Sequence, residues 1–316
     1  MDLSVVIPVF EEELNIKPLH DDLRRVLDSL QLTSEIIFVD DGSRDNSFAV
    51  LTEIQRADDT VRVVRFRRNF GQTAALAAGL QYAQGEVVIT MDGDQQNDPS
   101  DIPNLLARVD AGYDLVCGWR FDRKDKYWSR KFPSMLANKL ISKTTEVELH
   151  DYGCTLKAMR KEVAKNITLY GELHRFIPAV ASNMGVSIAE IKVNHRARTL
   201  GATKYGISRS VRVLLDLITV KFLLKYAGRP MHFFGLPGLF SGAIGFFLAL
   251  YTTFERLFLS VPMGNRPLFL LAILMILIGI QFIAIGLLGE LQIRTYYETQ
   301  NKPIYVVRET LGWDGD

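Results

Sequence analysis

The chain has 316 residues, 48% of them hydrophobic and 23% charged, with a formal net charge of +1. These proportions exclude a disordered, collagen-like or low-complexity polymer. The near-zero charge gives no global attraction for nucleic acid, so no nucleic-acid partner is expected. Two cysteines, Cys117 and Cys154, cannot build a disulfide scaffold.

Leu3–Val9 (LSVVIPV) is a short apolar run closed by a polar cluster, and a helical pattern begins near Ile16. Glu35–Asp40 is a second such run, closed by Asp41-Gly42-Ser43. Val61–Arg65, a helical Gln72–Tyr82, and Glu86–Met91 follow, the last closed by Asp92-Gly93-Asp94; Leu115–Gly118 is a further strand. Apolar runs alternating with helices predict an α/β fold with a Rossmann-like, mostly parallel sheet covered on both faces. Ligands of such sheets bind beyond the carboxyl ends of the strands, where Asp40, Asp41, Asp92 and Asp94 all fall. Neither a G-x-G-x-x-G turn nor a phosphate-binding G-x-x-x-x-G-K-[ST] loop is present. Two carboxylates around Gly93 can hold a hard divalent cation that bridges to phosphate oxygens, although the same pattern alone is common in turns.

The mean hydropathy of +0.08 averages two different materials. Pro230–Phe254 and Pro267–Gly289 contain no Asp, Glu, Lys or Arg. Each exceeds the roughly 20 residues needed to cross a bilayer core. The connector between them holds Pro262, Gly264 and Asn265, as a helical hairpin requires. Lys221, Lys225 and Arg229 precede the pair and Arg294, Lys302 and Arg308 follow it. The positive-inside tendency therefore places both termini in the cytosol, at the inner (plasma) membrane. Met1-Asp2 leads straight into an apolar strand, without the basic segment of a cleavable signal peptide. Ser208–Tyr226 fits an interfacial helix, with Val211, Leu214, Leu215, Ile218 and Phe222 on one face. The expected division is a catalytic domain over 1–206, a juxtamembrane helix over 207–229, two spans within 230–289, and a cytosolic tail over 290–316.

Ile7-Pro8-Val9-Phe10-Glu11-Glu12, Val39-Asp40-Asp41-Gly42-Ser43, Arg68-Asn69-Phe70-Gly71 and Asp92-Gly93-Asp94-Gln95-Gln96 occur in one order and spacing. Together they resemble the family 2 glycosyltransferases of GT-A fold. The branch most similar is that of the polyprenyl-phosphate glycosyltransferases, which includes dolichol-phosphate mannose synthase. Asp151-Tyr152-Gly153-Cys154 and His195–Tyr205 resemble its undecaprenyl-phosphate aminoarabinose transferase group.

The resemblance implies a nucleotide-diphosphate sugar donor, expected to be a UDP-sugar, and an undecaprenyl phosphate acceptor. It also implies Mg2+ or Mn2+ as cofactor, inversion at the anomeric carbon, and a homo-oligomer (a tetramer in relatives). Pro8, Phe10, Glu12 and Asp41 would line the nucleobase and ribose pocket, with Asp40 supporting its loop. Asp92, Asp94 and Gln96 would face the metal and the sugar diphosphate. Arg198 and Lys204, with Thr203 and Tyr205, match a loop that closes on the donor phosphates. Arg120 matches an arginine that holds the acceptor phosphate, and either Arg130 or Lys131 matches a second cation there. Asp151 is the candidate catalytic or positioning carboxylate; relatives of the glucosyl-transferring type have Gly-Asp where this chain has Gly153-Cys154.

The acceptor's chemistry limits what the enzyme must supply. A phosphomonoester has a second pKa of about 6, so its attacking oxygen is already largely anionic at neutral pH and needs little help from a base. A processive polysaccharide synthase would share the front motifs, but the chain has no Q-x-x-R-W and too few spans for a polymer channel. A non-catalytic nucleotide-sugar-binding scaffold would have no reason to keep the carboxylate pair and both basic loops.

Overall fold

A computed structural model describes residues 1–121, 142, 147–169, 173–196, 230–259, 267–299 and 304–313. The chain divides into two compact units, one of residues 1–216 with 303–316 and one of residues 217–302. The juxtamembrane helix expected over 207–229 lies outside the described residues.

The first unit is built on β1 (Leu3–Val9), α1 (Glu13–Ser29), β2 (Ser34–Asp40), α2 (Ser47–Ala57), β3 (Val61–Phe66) and α3 (Gln72–Tyr82). It continues through β4 (Val87–Thr90), α4 (Ile102–Asp110), β5 (Leu115–Arg120), β6 (Lys157–Arg160), α5 (Lys161–Asn166), α6 (Ile177–Ser182) and β7 (Ile188–Val193). After the second unit the chain returns as β8 (Val307–Leu311). The eight strands form one sheet in the order β7-β5-β6-β4-β1-β2-β3-β8. β6 and β8 pair antiparallel with their neighbours, while β1 to β5 and β7 run in one direction. The chain steps from β1 to β2 and β3 on one side, then crosses back to β4 on the other. That reversal opens a crevice at the carboxyl ends of the strands.

Burial explains why these segments are strands and helices. Leu3, Val5 and Ile7 of β1 and Ile36 and Phe38 of β2 are fully buried, and Ile16, Leu19, Leu23 and Leu27 of α1 pack into the same core. Their three- and four-residue spacing gives α1 one apolar face. α3 lies against β1 at Gly79, where a Cβ would come within 2.1 Å of Val6 Cγ1. β1 and α3 have the bounds expected from sequence, and β5 runs two residues further, to Arg120. β8 was not foreseen: the stretch expected as a tail adds an edge strand to β3, fixed by an Arg65–Glu309 ion pair at 2.9 Å.

The second unit is a pair of helices, α7 (Pro230–Leu259) and α8 (Pro267–Thr299), both long and apolar enough to span a membrane. Each runs past its uncharged stretch, because Glu255 and Arg256 in one and Glu290 onward in the other do not interrupt a helix. They pack antiparallel through small residues. A Cβ on Gly238 would lie 2.9 Å from the Gly279 carbonyl oxygen, and one on Gly245 2.7 Å from that of Ala272. Ser241 Oγ donates to the Met275 carbonyl at 2.9 Å. The remaining apolar surface points outward, with Leu236, Phe240, Leu257 and Phe258 at least 70% exposed. A core helix of a water-soluble protein would bury these side chains.

Candidate active site

The loops after β1, β2 and β3 meet first. Asp40 is fully buried, accepts a hydrogen bond from the Ser43 backbone at 2.9 Å, and faces Arg65 Nε at 3.5 Å. Burial raises its pKa. Its carboxylate holds the turn that leads to Ser43. Gly42 has φ +70°, and a Cβ there would come within 2.4 Å of the Arg68 backbone, so the turn needs glycine. Asp41 reaches across this contact to accept from the backbone N–H of Phe70 at 2.6 Å and of Gly71 at 2.9 Å. Burial pushes Asp41 up to about 6. A cavity of about 500 Å³ opens here, lined by Phe10, Ser43, Arg44, Arg67, Arg68 and, from β8, Arg308 among others. Phe10 thus borders a cavity, whereas Pro8 turns its carbonyl toward Gly93, and Glu12 begins α1 by accepting from Asn15 Nδ2 at 2.5 Å.

The loop after β4 carries the carboxylate pair. Asp92 is held on both oxygens: Gln72 Nε2 donates to Oδ1 at 2.8 Å and Thr155 Oγ1 to Oδ2 at 2.7 Å. Its backbone N–H donates to Asn97 Oδ1 at 3.0 Å. Burial and then the neighbouring Asp94 charge push Asp92 up to about 6. Asp94 Oδ1 accepts from the Gln96 backbone at 3.1 Å, and the Gln96 carbonyl accepts from the Arg196 backbone at 3.0 Å. Glu11 and Gln95 take left-handed φ values of 53° and 60°, a strain of roughly 1 kcal/mol each at the ends of β1 and β4. Two repelling carboxylates at one strand end suit a hard cation. Among the described residues no three His, Cys, Asp or Glu side chains form a metal-holding group. A divalent ion here would leave most of its coordination to water and ligand oxygens, which the chemistry of Mg2+ allows.

On the other side of β4, Arg120 at the end of β5 meets Asp151 in a two-point ion pair, Nε to Oδ2 at 2.7 Å and Nη2 to Oδ1 at 2.9 Å. Gly153 N–H also donates to Asp151 Oδ1 at 3.1 Å. Burial disfavours the Arg120 charge, but the Asp151 pair outweighs it and holds the guanidinium above its usual range. Arg120 and Lys157 in turn ease the Asp92 charge. Lys157 is buried and donates to the Cys154 carbonyl. Burial pushes Cys117 up to about 12 and Cys154 to about 11, so neither offers a thiolate.

Arg130, Lys131, Arg198, Thr203, Lys204 and Tyr205 lie outside the described residues. The approach to the second basic loop is described, and it is tied to the Asp92–Asp94 turn. His195 bridges Asn97, Asn194 N–H donates to Asp101 at 2.7 Å, and Arg196 binds Asp98 at 2.8 Å and Asp22 at 2.7 Å. Gln72, Asn97 and Thr155 were not anticipated. Each sits one position outside a recognised motif, so widening those windows by a residue would have found them.

Three comparisons bear on this geometry. Of solved structures, glucosyl-3-phosphoglycerate synthase from Mycobacterium tuberculosis with Mn2+ and UDP-glucose superposes with a TM-score of 0.55 at 18% identity, covering 71% of this chain and 78% of that one. The architecture is thus the GT-A fold. The Glycosyl transferase family 2 model matches residues 4–168, and the chain belongs to that family of glycosyltransferases. It is 43% identical, over 98% of its length and 93% of the relative's, to the dodecaprenyl-phosphate galacturonate synthase of Rhizobium johnstonii. It is 37% identical, over 98% and 92%, to the undecaprenyl-phosphate 4-deoxy-4-formamido-L-arabinose transferase of Shewanella sediminis.

Proposed function

We propose that this glycosyltransferase moves a sugar from a UDP-sugar to a polyprenyl phosphate, undecaprenyl phosphate in a bacterial membrane. The observation that carries the reading is the Arg120–Asp151 pair beside Asp92 and Asp94, in a chain similar along 98% of its length to two polyprenyl-phosphate enzymes. The site then brings an anion-binding arginine next to a cation-binding turn, which a phosphate acceptor and a diphosphate donor both need.

Asp92 and Asp94, with Gln96, would hold a divalent cation, Mg2+ or Mn2+, which when bound acts as a Lewis acid toward the departing diphosphate. Gln72 and Thr155 fix the orientation of Asp92. Phe10, Asp41 and the arginines of the neighbouring cavity take the nucleoside end, Asp40 supports their turn, and Pro8 and Glu12 shape the loop between. Asp151 takes two of the five guanidinium donors of Arg120, so the others remain for the acceptor phosphate. That phosphate's anionic oxygen attacks the anomeric carbon, the bond from that carbon to the diphosphate oxygen breaks, and the configuration inverts. No protein nucleophile is needed. Arg130 or Lys131 adds a second cation on the acceptor side, and Arg198 and Lys204 close over the donor.

We place the catalytic unit on the cytosolic face of the inner membrane. Two helices long and apolar enough to cross a membrane, with strands of one sheet before and after them in the sequence, support this reading. A homo-oligomer belongs to the same reading, and light scattering of the detergent-purified protein measures it.

The test is a panel of labelled nucleotide sugars, incubated with undecaprenyl phosphate, divalent metal and purified enzyme. Label entering the lipid extract, abolished in Asp94→Ala, supports the reading. Release of free sugar at equal rates with and without the lipid phosphate refutes it.

A further inference from the structure

Glu190 lies in the middle of β7, opposite Cys117 of β5, in the stretch Ile-Ala-Glu-Ile-Lys-Val. An acid in such a strand ordinarily faces water. This side chain is instead only 11% exposed and caps the turn that carries Asp151. Oε1 accepts from the backbone N–H of His150 at 3.0 Å and of Asp151 at 3.0 Å. Oε2 accepts from His150 N–H at 3.1 Å and lies 2.7 Å from His150 Nδ1. The His150 ring stacks on Trp119, with centroids 4.1 Å apart and planes 15° apart. Trp119 directly precedes Arg120 on β5.

The turn is therefore gripped from two neighbouring strands. β7 holds its backbone through Glu190, and β5 meets its side chain through Arg120. Glu190 takes the backbone donors of residues 150 and 151, while the Asp151 carboxylate accepts from Arg120 and from Gly153 N–H. Two-point pairs depend strongly on orientation, and a small rotation of the turn would break one of the two N–H···O bonds.

We infer that Glu190 is a positioning residue for the acceptor side of the reaction: through the backbone of His150 and Asp151 it fixes the Asp151 carboxylate, and so aims the Arg120 guanidinium at the acceptor phosphate. This rests on the reading of Arg120 as an acceptor-phosphate ligand. A carboxylate suits the task because it offers two acceptor oxygens to N–H donors. Gln at this position replaces one oxygen by an NH2 group that faces a donor with a donor.

The test measures kcat and the separate KM values for donor and for undecaprenyl phosphate in Glu190→Gln, Glu190→Asp, Arg120→Ala and the double variant Glu190→Gln/Arg120→Ala. Glu190→Gln is expected to raise the acceptor KM about tenfold. The donor KM should stay within about twofold, and Glu190→Asp should recover part of the loss. The double variant is expected to match Arg120→Ala, because a residue acting through Arg120 has nothing left to aim. A rise in both KM values together, or additive effects in the double variant, overturns the inference. If Arg120→Ala itself leaves the acceptor KM unchanged, the reading of Arg120 fails instead. Should Glu190→Gln not fold, Glu190→Asp and Glu190→Asp/Arg120→Ala provide the same comparison, since Asp keeps both acceptor oxygens.

Discussion

Arg120 and Asp151 meet edge to edge, two parallel N–H···O bonds joining the end of β5 to a turn that has no regular structure of its own. The carboxylate is 4% exposed and the guanidinium 16%, so both partners are desolvated and their attraction offsets the cost of that burial. A carboxylate so engaged is a holder of an arginine before it is an acceptor of a proton.

From this follows an order of severity among the acids. Asp151→Asn keeps one oxygen for Arg120, and a phosphate acceptor needs little help from a base, whereas Asp94→Asn removes charge from the turn proposed to bind the cation. Turnover is expected to fall less in Asp151→Asn than in Asp94→Asn. Initial rates of lipid-product formation, measured side by side, check this; a larger loss at Asp151 would restore it as a base.

Thr155→Val is nearly isosteric and deletes only the hydroxyl that donates to Asp92 Oδ2 at 2.7 Å. Losing an orienting hydrogen bond on a ligand carboxylate typically costs about 10- to 100-fold in metal affinity or activity. The metal concentration for half-maximal rate is expected to rise by that order, with the acceptor KM unaffected. Titration with Mn2+ and Mg2+ reads it directly.

Asp41 supplies a pH dependence. Its carboxylate accepts two backbone N–H bonds but titrates at about 6, because burial raises it from its ordinary 3.8. Below pH 6 the protonated group can no longer accept both, so the donor KM is expected to rise as pH falls through this value. Asp41→Asn should show a high donor KM that is flat across the same range. In stability the sign is opposite to that of a paired carboxylate. Between about 4 and 6 the native state binds a proton that the unfolded chain has lost, so this group's contribution falls as pH rises. Denaturation midpoints of the two proteins at pH 4.5 and 7 test that sign.

Tyr305, 7% exposed, stacks on Phe66 with ring centroids 5.0 Å apart and donates its hydroxyl to Gln81. Tyr305→Ala opens a gap between the approach to β8 and the sheet, at about 3 kcal/mol for a large aromatic. For a unit of this size the melting temperature is expected to fall by roughly 6–12 °C. Thermal unfolding in detergent measures it, and no change would mean that β8 does not support the sheet.

Much of this was legible because period and punctuation coincide. Leu3–Val9 ends in a polar loop, Glu35–Asp40 in Asp-Gly-Ser and the fourth strand in Asp-Gly-Asp, so strand ends and site residues announced one another. β6, β7 and β8 gave no such signal. Lys157–Arg160 carries a cation at each end, one of them buried, and Val307–Leu311 is an edge strand with no residue fully buried. An antiparallel edge pairing across the whole chain is a tertiary event that no local pattern encodes. The role of Glu190 was hidden for the same reason, since its partners are backbone groups forty residues away.

The pairing of β3 with β8 also sets an order of events during synthesis. Arg65 and Glu309 stand 244 residues apart, and both long apolar helices are made between them. The outer edge of β3 is therefore bare while the helices leave the ribosome, and it is closed only afterwards. Long-range pairing of this kind is slow, and an open strand edge invites pairing with other chains. Synthesis of both helices thus precedes completion of the sheet, and a chain stalled at that step would expose an unfinished sheet to aggregation and proteolysis.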